Sequence, residues 1–468
     1  MRKTRIVCTM GPSSVHPPVL RAIVAAGMDV ARFNFSHGDP DSRRGGVAAV
    51  REAAGAAGRH VALLQDLQGP KIRTGMLVEP LVRLTRGRHV ILTSRQVVGD
   101  AGTVSVSHSE IIASLRRHDR VLLADGQIEL RVQSVAGQDA DCTVVRGGLL
   151  GERKGVTVPG RPLDLPPLTD KDLADLAMGA ELRFDYVALS FVRTAADIVT
   201  CRSALAGHGW HPPVIAKLER LEALRNLKEI LGCVDAVMVA RGDLGVELPL
   251  GEVPAVQKDV IHRANQAGIP VITATEMLES MITSNRPTRA EASDVANAIW
   301  DGTDAVMLSQ ETSTGAHPLE AVRAMAKICQ AAESHPSYQR HRPYWKDGSV
   351  SSAMAHAAAA IATEVDARAI IAFTESGTTA LRISKAHPVV PIIAASPHEA
   401  VLRKTALYSG VVPLRVEVGR DTDDMIVKAG SAAVESGLVR RGDRVVLVAG
   451  VPVGEPGQTN LVKVSTVG

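Results

Sequence analysis

Short apolar runs recur along the first two thirds of the chain, and most of them are followed by an amphipathic stretch with helical spacing. Eight runs are apolar at nearly every position, which is typical of strands buried on both faces of a parallel sheet. The alternation of strands and helices predicts an α/β fold. The runs are Thr4–Met10, Val30–Phe35, Val61–Gln65, Asp185–Leu189, Val214–Ala216, Ala236–Ala240, Val271–Ala274 and Ala305–Leu308.

Polar residues gather where these strands end. In a (β/α)8 barrel the carboxyl ends of the strands build the site, so such residues should meet at one mouth. A doubly wound sheet also fits eight strands, but its ligand groups would cluster at one switch point. The pattern therefore favours a (β/α)8 TIM barrel. The polar residues are Ser36, His37, Asp66, Ser190, Lys217, Glu219, Asp243, Thr275 and Ser309, and the first run leads to Pro12.

The segment Val239–Leu248, VARGDLGVEL, is the richest of these strand ends. Asp243 could hold a divalent metal, and Gly242 lets the backbone come close to an anionic ligand. A strand followed by a tight turn that an aspartate caps would have the same sequence, so both interpretations stay open.

An insertion interrupts the barrel pattern after the third strand. Its period is near two in HVILTS, VSVS, RVLLAD, QIELRVQSV and CTVVRG, which predicts short antiparallel strands. We expect a small β-barrel domain at 71–167, able to close over the mouth as a lid, with the catalytic barrel at 1–70 and 168–335.

A polar linker at 334–349 precedes a second α/β pattern, which predicts a separate C-terminal α/β domain at 350–468. Its segment Thr374–Thr379, TESGTT, follows a strand and opens a helix. Hydroxyls and a glycine at a helix N-terminus can bind a phosphate. A plain helix cap without a ligand is the alternative.

Composition narrows the class of protein. The 468 residues are too many for one domain. A formal net charge of +3 and 3% aromatic residues give no case for a nucleic-acid partner. Five scattered cysteines without a CxxC pair indicate free thiols in a reducing cytoplasm. The start, MRKTRIVCTMGPSS, lacks the apolar core of a signal peptide, and no apolar run is long enough for a membrane span.

At this point the chain resembles the pyruvate kinase family along nearly its whole length. The segments that carry the resemblance are long, and they occur in the family's order. They are RKTRIVCTMGPSS, GMDVARFNFSHG, DLQGPKIRTG, GVTVPG, ALSFVR, AKLE, DAVMVARGDLGVELP, PVITATEMLESM and RPTRAEASDVANAIWDGTDAVMLS.

The resemblance implies transfer of a phosphoryl group from phosphoenolpyruvate to ADP. Such a reaction brings two anions together and depends on positioning and charge neutralisation. Glu219 and Asp243 would hold Mg²⁺ or Mn²⁺. Lys217 would neutralise the moving phosphoryl group and the enolate, although an ordinary surface ion pair with Glu219 is the alternative.

Further roles come from the resemblance as well. Arg32 would bind the phosphate of phosphoenolpyruvate, because a guanidinium can grip two oxygens. Gly242 and Asp243 would hold the substrate carboxylate, and Thr275 would take part in protonating the enolate through a relay. Residues expected near ADP are Pro12, Asn34, His37, Arg73 and Lys154, and a solvated surface lysine is the alternative for Lys154.

The family's pocket for a monovalent cation has its counterpart in Asn34, Ser36, Asp66 and Leu67. Relatives that depend on K⁺ carry Glu where this chain has Lys71. The ammonium of Lys71 can supply the same positive charge, so we expect K⁺ to be dispensable.

The helix after the seventh strand has a capping box, Thr288 with Glu291, and closes at Asp301-Gly302. We therefore give this segment a structural role. Near it the chain departs from the family pattern, which puts turnover and nucleotide affinity in question. The departures are Glu276 for Gln, Asn285 for Pro, Gln310 for Gly and Thr314 for Lys.

Members of the family are usually homotetramers with regulated activity, and we expect the same here. The effector would be a sugar phosphate or AMP, with Glu375 restricting which anions fit. Its phosphate would contact Thr374, Ser376, Gly377, Thr378 and Thr379.

Two other functions fit part of the pattern. A metal-dependent aldolase or lyase acting on enolates also uses a barrel, Mg²⁺ and an arginine, but it needs no nucleotide, so the inserted domain and Lys154 argue against it. A silent regulator would bind effector alone, and the set Lys217, Glu219, Asp243 and Thr275 argues against that.

Overall fold

The computed structural model describes residues 1–161, 165–340, 345–451 and 459–468, with residues 339 and 340 described by their backbone alone. The strands are β1 (Arg5–Thr9), β2 (Val30–Asn34), β3 (Ala62–Asp66), β4 (Leu81–Leu84), β5 (His89–Thr93), β6 (Thr103–Ser105), β7 (Arg120–Leu123), β8 (Ile128–Ala136), β9 (Asp139–Arg146), β10 (Gly148–Gly151), β11 (Val156–Thr157), β12 (Tyr186–Leu189), β13 (Val214–Leu218), β14 (Ala236–Ala240), β15 (Val271–Ala274), β16 (Ala305–Leu308), β17 (Ala369–Phe373), β18 (Ile392–Ser396), β19 (Val411–Arg415), β20 (Arg444–Ala449) and β21 (Leu461–Thr466).

Helices connect most of these strands. They are α1 (Pro17–Ala26), α2 (Pro40–Ala56), α3 (Ser109–Ser114), α4 (Asp170–Glu181), α5 (Ala195–Gly207), α6 (Leu221–Arg225), α7 (Leu227–Leu231), α8 (Arg241–Glu247), α9 (Val253–Gln266), α10 (Arg289–Asp301), α11 (Gln310–Ser313), α12 (Pro318–Ser334), α13 (Ser337–Arg340), α14 (Val350–Glu364), α15 (Thr378–Lys385), α16 (Glu399–Thr405) and α17 (Thr422–Glu435). Two short 3₁₀ helices lie at Leu250–Glu252 and Glu279–Ile282.

Eight parallel strands close into a barrel in the order β1-β16-β15-β14-β13-β12-β3-β2. All eight predicted strands are present, and the predicted TIM barrel is confirmed. The residues of β1, β3, β12, β14, β15 and β16 are buried throughout, as expected for strands covered by side chains inside and helices outside.

The insertion forms a six-stranded sheet, β11-β7-β8-β9-β5-β6, and a two-stranded ladder of β10 and β4. It has its own apolar core around Leu92, Val121 and Leu130. The strands were predicted as antiparallel, but β5 and β6 pair in parallel. The ladder was not predicted, because its outer positions Leu81 and Leu149 are exposed and break the expected alternation.

The C-terminal part is a five-stranded sheet, β19-β18-β17-β20-β21, whose strands are parallel except for β21. The predicted α/β domain is therefore confirmed. Of the predicted linker at 334–349, residues 341–344 lie outside the described residues. One apolar cluster runs from the barrel interior, at Val7 and Ile272, into this part of the chain, at Leu407 and Ile370.

Four aspartates, which we call the aspartate ring, lie at the amino end of the barrel. Asp29, Asp185, Asp235 and Asp304 each precede a strand, namely β2, β12, β14 and β16. Each carboxylate accepts a hydrogen bond from the backbone N–H of a residue in or at the start of the neighbouring strand. The donors are Ile6 (2.9 Å), Leu63 (2.8 Å), Val214 (2.8 Å) and Val271 (2.8 Å). The repeat follows from the barrel, in which alternate strands contribute alternate layers.

Basic side chains neutralise this ring, and two of them come from the C-terminal part. Lys385 Nζ lies 2.6 Å from Asp304, in an ion pair whose two side chains are 1% exposed, and Arg403 Nε lies 2.9 Å from Asp185. Within the barrel, Asp29 pairs with Arg2 at 2.6 Å. The pairs of Lys385 and Arg403 fix helices α15 and α16 of the C-terminal part against the amino end of the barrel.

Two further observations concern the whole described chain. All five cysteines are free thiols, four of them buried. Among the described residues, none of the helices combines the length and the apolar character that crossing a membrane requires.

Candidate active site

A buried charged cluster lies at the carboxyl end of the barrel. Lys217 Nζ is 2.9 Å from Glu219 Oε1, 3.2 Å from Asp66 Oδ1, and donates to Ser190 Oγ at 2.8 Å. Arg32 Nε donates to Asp66 Oδ2 at 2.6 Å. Two cations and two carboxylates thus share one network.

The barrel order explains this cluster. Arg32 lies in β2, Asp66 ends β3, Ser190 follows β12, and Lys217 and Glu219 lie at the end of β13. These four strands are consecutive neighbours in the closed sheet, so their carboxyl ends meet. The surface ion pair that was the alternative for Lys217 and Glu219 is excluded, because their side chains are only 12% and 1% exposed.

The charges within the cluster set the pKa values of its members. Burial alone would lower the pKa of Lys217, but Asp66 and Glu219 outweigh burial and hold this pKa above its ordinary value. Burial would raise the pKa of Asp66, yet Lys217 and Arg32 hold it below the usual range. Lys217 therefore stays an ammonium at the mouth of the barrel.

The pKa of Glu219 shifts in the direction opposite to that of Asp66. Burial raises its pKa, Lys217 lowers it, Asp243 raises it further, and the net shift is upward. Asp243 is thus close enough to Glu219 for repulsion between the two carboxylates, and a divalent cation held by both would relieve it. The described residues contain no group of three or more His, Cys, Asp or Glu side chains suited to a metal, so other ligands would come from substrate and water.

The segment after β14 is a short helix, α8, which contains Gly242 and Asp243. The backbone N–H of Gly242 donates to Thr275 Oγ1 at 2.7 Å, and Thr275 Oγ1 donates to the carbonyl of Ala274 at 2.6 Å. The structure therefore brings together three predicted substrate residues, Gly242, Asp243 and Thr275.

Thr275 has a left-handed backbone, with φ +68°, and Glu276 follows with φ +54°. For a β-branched residue this conformation costs on the order of 1–3 kcal/mol. Arg241 holds the turn, since its guanidinium donates to the carbonyls of Thr275 (2.6 Å) and Glu276 (3.1 Å) and pairs with Asp294 at 2.6 Å. Arg241 thus holds the backbone of Thr275 and Glu276 in place.

Lys71 contacts Asp243, with Nζ 3.3 Å from Oδ1. Of the predicted cation pocket, Asp66 is bound to Arg32 and Lys217, and Asn34 Oδ1 accepts from the backbone N–H of Ser36 at 3.0 Å. The carbonyl of Leu67 accepts from Ser190 Oγ at 2.7 Å. The ammonium of Lys71 is therefore at the mouth, where it faces the metal-ligand candidate.

A cavity of about 460 Å³ opens beside the cluster. Three of the predicted nucleotide residues, Pro12, Asn34 and His37, line it together with Thr314. Burial lowers the pKa of His37, and the cations Arg73, Arg32 and Lys71 lower it further. This side of the mouth is electropositive, as a site for phosphates requires.

The two predicted nucleotide residues of the insertion lie on adjacent segments. Arg73 forms a bridge with Gly155, and the backbone N–H of Lys154 donates to Thr74 Oγ1 at 2.9 Å. The side chain of Lys154 is exposed. The structure thus places Lys154 with Arg73 on the insertion, and neither lines the cavity, although Arg73 is close enough to lower the pKa of His37.

Two family models match the chain. Pyruvate kinase, barrel domain, matches residues 1–322, and pyruvate kinase, alpha/beta domain, matches residues 352–465. The chain belongs to the pyruvate kinase family. It is a phosphotransferase, and membership of the family implies a divalent metal and the substrates phosphoenolpyruvate and ADP.

Named relatives agree over the full length. A pyruvate kinase of Geobacillus stearothermophilus is 45% identical over 472 residues, covering 100% of this chain and 80% of the relative. One of Mycobacterium tuberculosis (strain ATCC 25618 / H37Rv) is 45% identical over 470 residues, covering 100% and 99%. The crystal structure of a pyruvate kinase from Cryptosporidium parvum aligns with a TM-score of 0.93 at 38% identity, covering 100% and 96%.

The predicted effector loop follows β17. Gly377 has φ +89°, its N–H donates to Thr374 Oγ1 at 2.9 Å, and Ser376 Oγ lies 2.9 Å from Thr378 Oγ1. Thr379 is buried, with its hydroxyl 3.0 Å from that of Thr459. Lys404 also reaches the loop, donating to the carbonyl of Ser376 at 3.2 Å. Two hydroxyls and a lysine therefore surround an exposed loop.

The departures from the family pattern fall into different places. Thr314 lines the cavity with the nucleotide residues, and the carbonyl of Glu276 is bound by Arg241. Gln310 begins α11, and Asn285 is exposed. The capping box of Thr288 and Glu291 is confirmed, and Gly302 with φ +103° ends α10 as predicted.

Sequence reasoning gave no specific role to four residues that contact the barrel site or the effector loop, although it named Ser190 among the strand-end residues. Thr9 accepts from Arg32 at 2.8 Å, and Phe191 donates its backbone N–H to Glu219 at 2.7 Å. Ser190 and Lys404 were within motifs or helices but carried no distinctive spacing. Thr9 follows the strand-end pattern and could have been found by it, as Ser190 was, whereas Phe191 and Lys404 depend on tertiary contacts.

Proposed function

We propose that the mouth of the barrel transfers the phosphoryl group of phosphoenolpyruvate to ADP, with Lys217 as the central charge. The observation that carries this proposal is a buried ammonium held between Asp66 and Glu219 beside an electropositive cavity. Because the ammonium is already fixed, it stabilises a developing negative charge without reorganisation.

Substrate binding is shared among neighbouring strand ends. Arg32, oriented by Asp66 and Thr9, binds the phosphate of phosphoenolpyruvate with its remaining N–H groups. The segment of Gly242 and Asp243 holds the carboxylate of the substrate. Lys217 neutralises the phosphoryl group during transfer and the enolate left behind.

Glu219 and Asp243 are the residues that would hold Mg²⁺ or Mn²⁺. Two carboxylate ligands, with substrate oxygens and water completing the shell, suit these hard cations. The metal, when bound, neutralises the oxygens of the phosphoryl group.

Thr275 serves the final protonation. A threonine hydroxyl is a poor acid alone, so it passes a proton along a relay to the enolate carbon. The fixed position of its hydroxyl above Gly242 supports this role, since a relay needs defined hydrogen-bond geometry.

The nucleotide binds in the cavity lined by Pro12, Asn34 and His37. Arg73 and Lys154 reach its phosphates from the insertion, which acts as a lid that excludes water from the transferring group. The proposed division of the chain is 1–70 with 168–335 for the catalytic barrel, 71–167 for the lid and 350–468 for the regulatory part.

K⁺ is dispensable in this proposal. Lys71 brings a fixed positive charge to the mouth beside Asp243. The residues of the cation pocket, Asn34, Ser36, Asp66 and Leu67, remain in place but need hold no K⁺.

A phosphorylated effector, a sugar phosphate or AMP, binds at Ser376, Gly377 and Thr378 and activates a homotetramer. Lys404 adds a positive charge beneath the loop. Thr374 shapes the loop from within, and Thr379 anchors its helix. We also place the protein in the cytoplasm, where its five free thiols stay reduced.

One coupled assay with phosphoenolpyruvate, ADP and Mg²⁺ tests the central proposal. Pyruvate and ATP should form in equal amounts and only when all three are present. Formation of pyruvate without ADP would favour a lyase, and no turnover under any condition would favour a regulator without catalysis.

A further inference from the structure

Glu219 is held at both of its oxygens. Lys217 contacts Oε1, and the backbone N–H of Phe191 donates to Oε2 at 2.7 Å. The residue is 1% exposed, so no solvent rearrangement sets its orientation. The direction of this carboxylate therefore depends on where Phe191 places its N–H.

Phe191 adopts a backbone conformation that is rare for a large residue. Its φ is +54°, in the left-handed region. It follows Ser190 of the charged cluster, and a Cβ on Gly69 would come within 3.0 Å of its ring. An unfavourable conformation persists only where surrounding contacts enforce it, and here they aim an N–H at a metal-ligand candidate.

Arg220 covers the ring of Phe191. Its guanidinium carbon lies 5.6 Å from the ring centroid, a cation–π distance. Its Nη1 lies 2.5 Å from Glu247 Oε1, and the two side chains are 14% and 4% exposed. Arg220 directly follows Glu219 in the chain, and Glu247 ends the helix that carries Asp243.

Glu247, and Arg193, which is near Phe191 in the chain, contact the segment through which the chain leaves the insertion. Glu247 Oε2 accepts from the backbone N–H of Gly160 at 3.4 Å, and Arg193 donates to the carbonyl of Leu165 at 2.7 Å. The pair of Arg220 and Glu247 therefore links the chain neighbour of Glu219 to the end of the helix that carries Asp243.

We propose that Phe191 and Arg220 are positioning residues for the metal carboxylate Glu219, with Glu247 holding Arg220 over the ring. The proposal rests on the metal role of Glu219 given above. Outer partners of metal ligands commonly set affinity, because they fix the ligand before the metal arrives. A purely structural ion pair would affect folding stability alone.

Direct binding of Mn²⁺ tests the positioning role without measuring enzyme activity. The free ion is measured by electron paramagnetic resonance in the absence of substrate. Arg220→Met and Glu247→Gln should each weaken Mn²⁺ binding by about 10- to 100-fold. Arg220→Lys keeps the charge but not the planar group over the ring, so it should restore part of the affinity.

Arg120→Met is the matched control, because it breaks a bidentate pair with Glu129 inside the insertion, at 2.9 and 3.2 Å. It should leave Mn²⁺ affinity unchanged. Circular dichroism identifies any variant that does not fold, in which case Arg220→Lys and Glu247→Gln decide the question.

Glu219→Gln separates the two proposals. If it binds Mn²⁺ as the wild type does, the metal role of Glu219 is wrong. If Glu219→Gln loses Mn²⁺ while folded Arg220→Met and Glu247→Gln keep wild-type affinity, the metal role stands and the positioning role is overturned.

Discussion

At the amino end of the barrel one contact is made four times, whereas at the carboxyl end Lys217, Thr275 and Phe191 each make contacts of a different kind. Each member of the aspartate ring accepts a backbone N–H from the neighbouring strand and has a basic partner. At the mouth, Lys217 contacts three different residues, and Thr275 and Phe191 have left-handed backbones. Repetition accompanies a structural role, and irregularity accompanies the candidate chemistry.

The two ends of the barrel also differ in whether their charged side chains are free to bind a ligand. Asp29 and Asp304 form ion pairs with basic side chains, and these pairs hold parts of the fold together. At the mouth, the cations Arg32, Arg73 and Lys71 are close enough to lower the pKa of His37, which lines the cavity. Cations near an open cavity suit anionic substrates, whereas a neutralised ring suits a permanent interface.

The largest effect should come from Lys217→Met at the carboxyl end. Removing the buried ammonium should lower turnover by about 10³-fold or more, because preorganised charge is lost from the transition state. The coupled assay measures this. Lys258→Met, which breaks an exposed pair with Asp301, is the control and should keep normal turnover. A folded Lys217→Met enzyme with a near-normal rate would remove Lys217 from its central role.

The next effect concerns stability at the amino end. Asp29→Asn leaves Arg5, which is fully buried, short of a counter-charge and should cost about 3–5 kcal/mol in the free energy of unfolding. Asp235→Asn should cost only about 1 kcal/mol, because its side chain is 38% exposed and that of Asp29 4%. Urea denaturation measures both. Equal losses would contradict the ranking by burial.

The loss of stability in Asp29→Asn should also depend on pH. Burial would raise the pKa of Asp29, but Arg2, Arg5 and Arg59 hold it below its ordinary value. A depressed folded pKa contributes stability above the unfolded value, about 3.9, and loses it as pH falls through the folded value. The gap between wild type and Asp29→Asn should therefore be constant near neutral pH and shrink below about pH 4. A gap that grows with acidification would contradict the shift.

A smaller effect is expected from Lys71 at the carboxyl end. The wild type should keep most of its activity without K⁺, because an ammonium is already present. Lys71→Glu should create a requirement in which K⁺ raises turnover about tenfold or more, equivalent to at least about 1.4 kcal/mol. Lys71→Met, which removes charge without reversing it, should fall between. Tetramethylammonium chloride replaces K⁺ in these assays, so that ionic strength stays constant. A wild-type enzyme that is inactive without K⁺ would show that Lys71 does not replace the cation.

The smallest effect belongs to the effector loop. A sugar phosphate or AMP should raise the apparent affinity for phosphoenolpyruvate about 5-fold or more. The pair Ser376→Asp and Thr378→Asp should abolish this activation by repelling the phosphate, while basal turnover stays normal. Ser203→Asp, on an exposed face of α5, is the control. If no member of an effector panel changes the saturation curve, the loop is only a helix cap.

Sequence patterns predicted the barrel well because its strands are apolar on both faces, and the short buried strands β17 and β18 of the C-terminal sheet gave the same signal. They also found Lys217, Glu219 and Asp243, since strand ends converge in a closed sheet. The aspartate ring went unnoticed, because an aspartate before a strand also looks like an ordinary turn residue. The direction of Arg241 and the backbone of Phe191 depend on neighbours from other strands, which one sequence does not reveal.

The apolar cluster that joins Val7 and Ile272 to Leu407 and Ile370 has a consequence for how the molecule opens. Because the barrel interior and the C-terminal sheet share this core, amides of both should exchange with solvent through one cooperative unfolding event. The insertion, with its separate core, can open by itself at lower free energy. Partial unfolding would then free the insertion first and leave the rest of the enzyme intact.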